Sequence, residues 1–239
     1  MKPLTRNGAV AASILGIVCV VAGFGWVLLL IAFFVSGTLL SHLGESRKRA
    51  KTEGITAKGS RRDAWQVLAN GGVFGAAAIG SIIAPSAAWP VLGTGAIAAS
   101  TADTWATEIG TLVSDSARSI LTWRAVPPGT SGGITFSGTA AALAGAEFIA
   151  VFAGIAGWPG RAACAAVIGG FAGSTVDSLL GASLQARRWC DQCGMKTERT
   201  IHLCGTRTKL AGGSVWLDND AVNAISSLAG AAIGALCLR

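Results

Sequence analysis

The stretch STADTWATEIG, residues 100–110, sets two carboxylates, Asp103 and Glu108, among Ser100, Thr101, Thr104 and Thr107. The residues on its N-terminal side are apolar or small. An ionisable side chain at membrane depth costs about 2.5–3.5 kcal/mol on insertion scales, so such groups turn toward a protein interior. Wound as an α-helix, Ser100, Asp103, Thr104, Thr107, Glu108 and Thr111 fall within about 140° of one another. Continuing the same helix adds Ser114, Asp115 and Arg118 to the stripe. The stretch reads as one polar wall of a membrane-spanning helix.

Composition agrees with a membrane setting. The chain has 239 residues, is 51% hydrophobic and only 13% charged, and has a mean hydropathy of +0.57. Soluble domains carry about 25% charged residues. The 33 glycines suit close helix approach in lipid, and Gly71/Gly75, Gly169/Gly173 and Gly230/Gly234 each have small-xxx-small spacing. The expected fold is all-α: a polytopic helical bundle forming one membrane domain over residues 1–239.

About seven apolar segments approach the length a bilayer requires: 8–22, 25–43, 64–84, 90–112, 135–156, 162–185 and 218–238. The opening apolar run is too long for the core of a cleaved signal peptide and reads as a tight hairpin of two spans. Trp89 between Pro85 and Pro90, and Trp158 beside Pro159, mark turns at a membrane interface. Net charge is +7, and its distribution is clustered. One cluster is Arg47, Lys48, Arg49, Lys51, Lys58, Arg61 and Arg62; another is Arg187, Arg188, Lys196, Arg199, Arg207 and Lys209. With Lys2 and Arg6 cytoplasmic, both fall in cytoplasmic loops, 44–63 and 186–217, with a third loop at 113–134. Positive-inside topology in a cell membrane accounts for this basicity without a nucleic-acid partner.

The polar helix has company. Ser174, Asp177, Ser178, Gly181, Gln185 and Arg188 form a stripe on the sixth span. The third span opens with Gln66 and Asn70, and the seventh with Asp218, Asp220, Asn223, Ser226 and Ser227. Glu147 lies inside the fifth span; the other polar groups gather toward the cytoplasmic ends. Interhelical hydrogen bonds, worth about 0.6 kcal/mol each, account for the hydroxyls taken singly. Asp103, Glu108 and Asp177 together ask for a cation, since buried carboxylates repel one another, and their hard oxygens suit Mg²⁺.

Between spans four and five, VPPGTSGGITFSGT (126–139) offers Gly129, Thr130, Ser131, Gly132 and Gly133 just before a helix. Backbone N–H groups of such a turn favour a phosphate, with Arg124 and Arg188 as neighbouring cations. The sequence is not a Walker A loop. In the last loop, Cys190, Cys193, His202 and Cys204 can supply four zinc ligands. Cytoplasmic thiols stay reduced, which disfavours a structural disulfide; a structural zinc, a free-thiol loop and a redox pair are the readings open here. Cys19, Cys164 and Cys237 read as small buried apolar residues. With only His42 and His202 in the chain, a His-based triad is not supported.

Five ordered motifs carry a resemblance: ASTADTWATEIG (99–110), QVLANGGV (66–73), PPGTSGGIT (127–135), GSTVDSLLGASLQ (173–185) and WLDNDAVN (216–223). The chain resembles the integral-membrane family of transmembrane protein 19, which includes the plant phytyl-phosphate kinase. The resemblance implies transfer of a phosphoryl group from CTP or another nucleotide to a prenyl monophosphate such as phytyl, geranylgeranyl or farnesyl phosphate. On that reading Asp103, Glu108 and Asp177 hold Mg²⁺ and the Gly129–Gly133 turn holds nucleotide phosphates. Gln66, Asn70, Ser100, Thr104, Thr107, Ser174, Ser178, Asp218, Asp220 and Asn223 line the site. Cytidylyl transfer onto a lipid phosphate, and a non-enzymatic transporter or lipid carrier, are the competing expectations.

Overall fold

The structure is a computed structural model that describes residues 4–56 and 62–239. Lys2, Lys58 and Arg61 of the basic clusters lie outside the described residues. Among the described residues the helices are α1 (Arg6–Ala22), α2 (Phe24–His42), α3 (Glu45–Thr52), α4 (Ala64–Ile83), α5 (Ala88–Val113), α6 (Phe136–Ile155), α7 (Gly160–Ser183) and α8 (Asn219–Gly234). A 3-10 turn, Ala235–Leu238, follows α8. The seven expected spans correspond to all of these except the short basic α3. By length and composition, α2, α4, α6, α7 and the segment Asn219–Leu238 are each sufficient to cross a bilayer. The shorter α1 has 17 residues, and α5 carries Asp103, Glu108 and five threonines.

That polar helix is the axis of the bundle. Residues Gly93 through Ala102 of α5 are buried without a break, and α2, α4, α6, α7 and α8 all pack on it. Enclosure on this scale needs close backbone approach, which glycine permits. A Cβ at Gly95 would stand 2.5 Å from the Gly230 carbonyl oxygen, and one at Gly230 would stand 2.6 Å from both Ala99 Cβ and the Gly95 oxygen. A Cβ at Gly173 would meet Ala99 Cβ at 2.5 Å and the Ser226 oxygen at 2.8 Å. The α5–α7–α8 crossing is thus a backbone-to-backbone contact. Gly71 and Gly75 instead receive the Leu15 side chain of α1. Outward faces carry exposed Ile14, Ile17, Val21, Ile83, Val151 and Ile155, the surface lipid requires. Glu147 also lies on the outer face of α6, exposed.

The N-termini of α1, α4, α6 and α8 and the C-termini of α2, α5 and α7 share one end of the bundle. The loops there are not structureless. Strands β1 (Ala117–Ser119), β2 (Ala125–Val126) and β3 (Gly133–Ile134) form an antiparallel sheet in the order β2-β1-β3. Strands β4 (Arg187–Cys190), β5 (Met195–Thr197) and β6 (Lys209–Gly212) form a second, in the order β5-β4-β6.

Two expectations need correction. The polar stripe does not continue to Arg118, because α5 ends at Val113 and Arg118 lies in β1. Lys51 Nζ draws off the terminal carbonyls, donating to the oxygens of Thr111 (3.0 Å) and Ser114 (2.8 Å), which satisfies a helix end that would otherwise be unpaired. Cys19 is buried as expected, but Cys164 is exposed and Cys237 half-buried. Their sulfurs stand 2.7 Å apart, joining α7 to the C-terminal turn.

Gly230→Ala should destabilise the protein by about 1–3 kcal/mol, the range for overpacking a tight contact. Gly16→Ala, where nothing lies within 4 Å of the added atom, should be neutral or slightly stabilising. Thermal unfolding in detergent compares the two variants directly.

Candidate functional site

The glycine crossing sets where the carboxylates meet. Asp103 and Asp177 each stand eight residues beyond a crossing glycine, Gly95 and Gly169, which is about 12 Å along a helix. They reach a common depth near the loop-bearing end, close enough to feel each other's charge. Ser226 of α8 is within hydrogen-bonding reach of Asp177, and Glu198, from the segment after β5, adds a third negative charge to its surroundings. Asp177 Oδ2 is buried and has no hydrogen-bond partner among the described residues.

Glu108 does not join this group. It faces the opposite side of α5, where Ser41 Oγ donates to its Oε1 at 3.0 Å and the Lys48 ammonium pairs with its Oε2. Lys48 is buried and also donates to the carbonyls of Leu40 (2.6 Å) and Ser41 (3.0 Å). Arg62 adds a second cation within electrostatic reach of Glu108; its guanidinium lies 5.8 Å from the Phe33 ring centroid. Nearby, the exposed Asp115 carboxyl is held below its usual range, by its hydrogen bond from Lys51 first and by the charges of Lys51 and Arg47 next.

The glycine-rich loop sits over the acidic end. Gly129 and Gly132 have φ of +81° and +73°, and each is closely covered: a Cβ at Gly129 would meet Thr52, and one at Gly132 would meet the backbone of Ala182. Ser131 donates its hydroxyl to Glu198 Oε1, and Gln185 Nε2 donates to the same oxygen at 3.2 Å. Two of the loop's N–H groups serve the turn itself, Thr130 to the Pro127 oxygen (3.2 Å) and Gly133 to the Thr130 oxygen (2.9 Å). Of the two cations expected beside it, Arg124 is exposed near β2, and Arg188 sits in β4 opposite Thr197.

The other expected lining residues divide between site and scaffold. Ser100 is buried and donates to the Asn70 carbonyl at 2.8 Å; Thr104 donates to the Ser100 carbonyl at 2.8 Å. Ser174 is buried and Ser178 half-buried on α7. Thr107 is exposed. Gln66 closes a reciprocal cap with Asp63 at the start of α4, and exposed Asp218 caps α8 by accepting from the Ala221 N–H at 3.0 Å. Asp220 and Asn223 are half-buried in the first turns of α8. Glu198 is the residue the sequence reading missed. It stands in a loop of mixed polarity with no periodicity to single it out, and only the fold carries it to Asp177.

A second constellation lies in the β4–β6 module. The ligand-capable atoms of Cys190, Cys193, His202 and Cys204 all lie within 4.8 Å of one another, and this is the one such group of His, Cys, Asp or Glu among the described residues. Cys190 Sγ is 3.6 Å from Cys204 Sγ, which is 3.3 Å from His202 Nδ1. Hydrogen bonds with Thr206 and then His202 pull the Cys204 thiol down to about 6.

An apolar outer face, with polar groups gathered inside one end of the bundle, defines a multi-pass integral membrane protein. The chain belongs to the family described as Integral membrane protein DUF92, whose sequence profile matches residues 1–231. It is 34% identical over 186 residues to an uncharacterized membrane protein of Methanocaldococcus jannaschii, covering 77% of this chain and 76% of the relative. It is 29% identical over 256 residues to Protein PGR of Arabidopsis thaliana, covering 95% and 86%. An uncharacterized membrane protein of Synechocystis is 27% identical over 244 residues, covering 97% and 81%. No solved structure matches the chain.

Glu108→Gln strips the buried Lys48 of its counter-charge and should cost about 1–3 kcal/mol of stability. Adding Lys48→Met should recover part of that loss, because an unpaired buried charge costs more than an apolar replacement. A double-mutant cycle by denaturation in detergent measures the coupling.

Proposed function

We propose that this protein is a prenyl-phosphate kinase of the membrane, transferring the γ-phosphoryl group of CTP or another nucleoside triphosphate to a prenyl monophosphate such as phytyl, geranylgeranyl or farnesyl phosphate. The observation that carries the reading is the meeting of Asp103, Asp177 and Glu198 beneath the glycine-rich loop, with one Asp177 oxygen buried and without a hydrogen-bond partner among the described residues. Phosphoryl transfer is achieved mainly by positioning and charge stabilisation rather than by covalent chemistry. The resemblance to a family with a phytyl-phosphate kinase supplies the substrate class. Positive-inside topology assigns the loop-bearing end, with Lys48, Lys51 and Arg187, to the cytoplasmic face of the cell membrane.

Mg²⁺ takes one or two carboxylates and fills its remaining positions with water and substrate phosphates. Asp177, with its unpartnered oxygen, and adjacent Asp103 meet that requirement; Glu108, occupied by Lys48 and Ser41, does not take part. When bound, the ion would offset negative charge on the nucleotide phosphates. The chain's own residues do the rest. Glu198, held by Ser131 and Gln185, ties the glycine-rich loop to the α7 end. The prenyl tail lies against the apolar helices, and its phosphate meets the nucleotide at the bundle end. An oxygen of that phosphate forms the new bond to the γ-phosphorus as the bond from γ-phosphorus to the CDP oxygen breaks. Phosphate monoesters are largely ionised near neutral pH, with a second pKa of about 6, so no histidine base is needed.

Purified protein with Mg²⁺ and γ-labelled CTP or ATP should convert prenyl monophosphates to labelled diphosphates and release the nucleoside diphosphate. Asp177→Asn should lower the rate on the order of 100-fold or more while leaving a folded protein. Label from α-labelled CTP appearing in the lipid, with diphosphate released, would instead mean cytidylyl transfer. Lipid or ion uptake into proteoliposomes without nucleotide turnover would mean a carrier.

A further inference from the structure

We infer that Cys190, Cys193, His202 and Cys204 bind one zinc ion, and that this ion takes the place of a core in the β4–β6 module and so keeps Glu198 seated against the α7 end of the site. The first part depends only on the four ligands and not on the reaction proposed above.

The geometry suits a tetrahedral ion. With Zn–S near 2.3 Å and Zn–N near 2.0–2.1 Å, the ligand-to-ligand edges of a tetrahedron come to about 3.5–3.8 Å. Two of the edges, 3.6 Å between the Cys190 and Cys204 sulfurs and 3.3 Å from Cys204 to His202 Nδ1, lie close to those values, and all four ligand atoms lie within 4.8 Å of one another. Each ligand pair sits on a tight turn closed by a left-handed glycine. Gly194, φ +61°, donates to the Cys190 oxygen at 2.9 Å; Gly205, φ +82°, donates to the His202 oxygen at 2.9 Å. A disulfide between two of the cysteines would leave the third thiol and the buried imidazole unexplained.

The module also has little apolar core of its own. Between residues 187 and 212 the buried residues are Cys190, Thr197, His202 and Thr208, while Ile201, Leu203 and Leu210 are exposed. Two of the four buried residues are proposed ligands, and none is a large aliphatic side chain. A three-stranded sheet with so little apolar burial falls in the size range where a metal or disulfide supplies the stability.

Glu198 lies between the two ligand turns, after Cys193 and before His202. Its N–H donates to the Ile55 carbonyl at 2.8 Å, and Thr197 Oγ1 donates to the same carbonyl at 3.3 Å. A Cβ on Gly54, one residue earlier, would lie 3.3 Å from Met195 Cε and 3.4 Å from His202 Nε2. The zinc ligands, the turn after α3 and Glu198 therefore form one packed unit. Fixing both turns fixes the segment from which Glu198 reaches Ser131 and Gln185.

The full-length protein in detergent should carry one zinc per chain by elemental mass spectrometry. Replacing zinc by cobalt should give the sulfur-to-cobalt charge-transfer and visible bands of a tetrahedral thiolate site. Cys204→Ser should lose the metal, whereas Cys204→His, which keeps a ligand, should retain it. Removing zinc with a chelator should speed amide exchange over residues 194–201 on the order of tenfold or more, with the α5 core unchanged. Metal-free protein that gives no tetrahedral cobalt spectrum would overturn the site, as would full zinc occupancy in Cys204→Ser. Zinc present but exchange over 194–201 insensitive to its removal would overturn the seating of Glu198. No readout uses nucleotide, so failure of the kinase reading leaves these outcomes distinct.

Discussion

Polar side chains on a helix crossing lipid have to be enclosed by protein, and the rest of this structure follows from how α5 meets that demand. Ten consecutive buried residues, Gly93–Ala102, leave that part of the helix no lipid-facing surface. In a bilayer, helices gain nothing from withdrawing apolar surface from water, so association depends on close packing and interhelical polar contacts. The backbones of α5, α7 and α8 approach at Gly95, Gly169, Gly173 and Gly230. The same crossing that encloses α5 fixes the depth at which Asp103 and Asp177 meet. Packing and site geometry are two consequences of one contact.

The loop-bearing end is held by a different kind of interaction. There the short helix α3 anchors to α5 through buried Lys48 on Glu108 and through Lys51 on the last carbonyls of α5. The far end of α3 and the turn after it receive Gly129 from one loop and Thr197 and Glu198 from the other. Arg187 finishes the arrangement by donating to the carbonyls of Ala182 and Ser183 at the end of α7, where a cation suits the terminal dipole. Basic residues clustered in the loop sequences serve here as carbonyl caps and ion-pair partners.

The helices were legible in the sequence because a bilayer leaves few alternatives for an apolar segment of span length. The seven spans were therefore placed closely, and Gly169/Gly173 and Gly230/Gly234 do mark helix contacts. The Cys190, Cys193, His202 and Cys204 group was also legible, since two ligand pairs each close on their own short turn. Other features were not. The hairpins of β1–β3 and β4–β6 are two to four residues per strand, too short for alternation to register. Gln66 and Asp218 looked like site residues because a helix cap and a ligand use the same side chains. Glu198 was invisible because its position is determined by Ile55, Ser131 and Gln185, each distant in the chain or on another element.

The two carboxylates of STADTWATEIG illustrate how far a helical stripe can be trusted. Five residues separate Asp103 from Glu108, which puts them about 140° apart around the axis. In an open groove that arc would be one wall. Inside a packed bundle it spans two different neighbours, α7 and α8 on one side and α2 with α3 on the other. Asp103 meets another carboxylate, while Glu108 meets a buried ammonium and a serine hydroxyl. The first environment brings like groups together, whereas the second pairs opposite charges. Enclosure by neighbours of opposite character therefore gives the two carboxylates of a single sequence motif different partners, Asp177 for Asp103 and the α3 anchor Lys48 for Glu108.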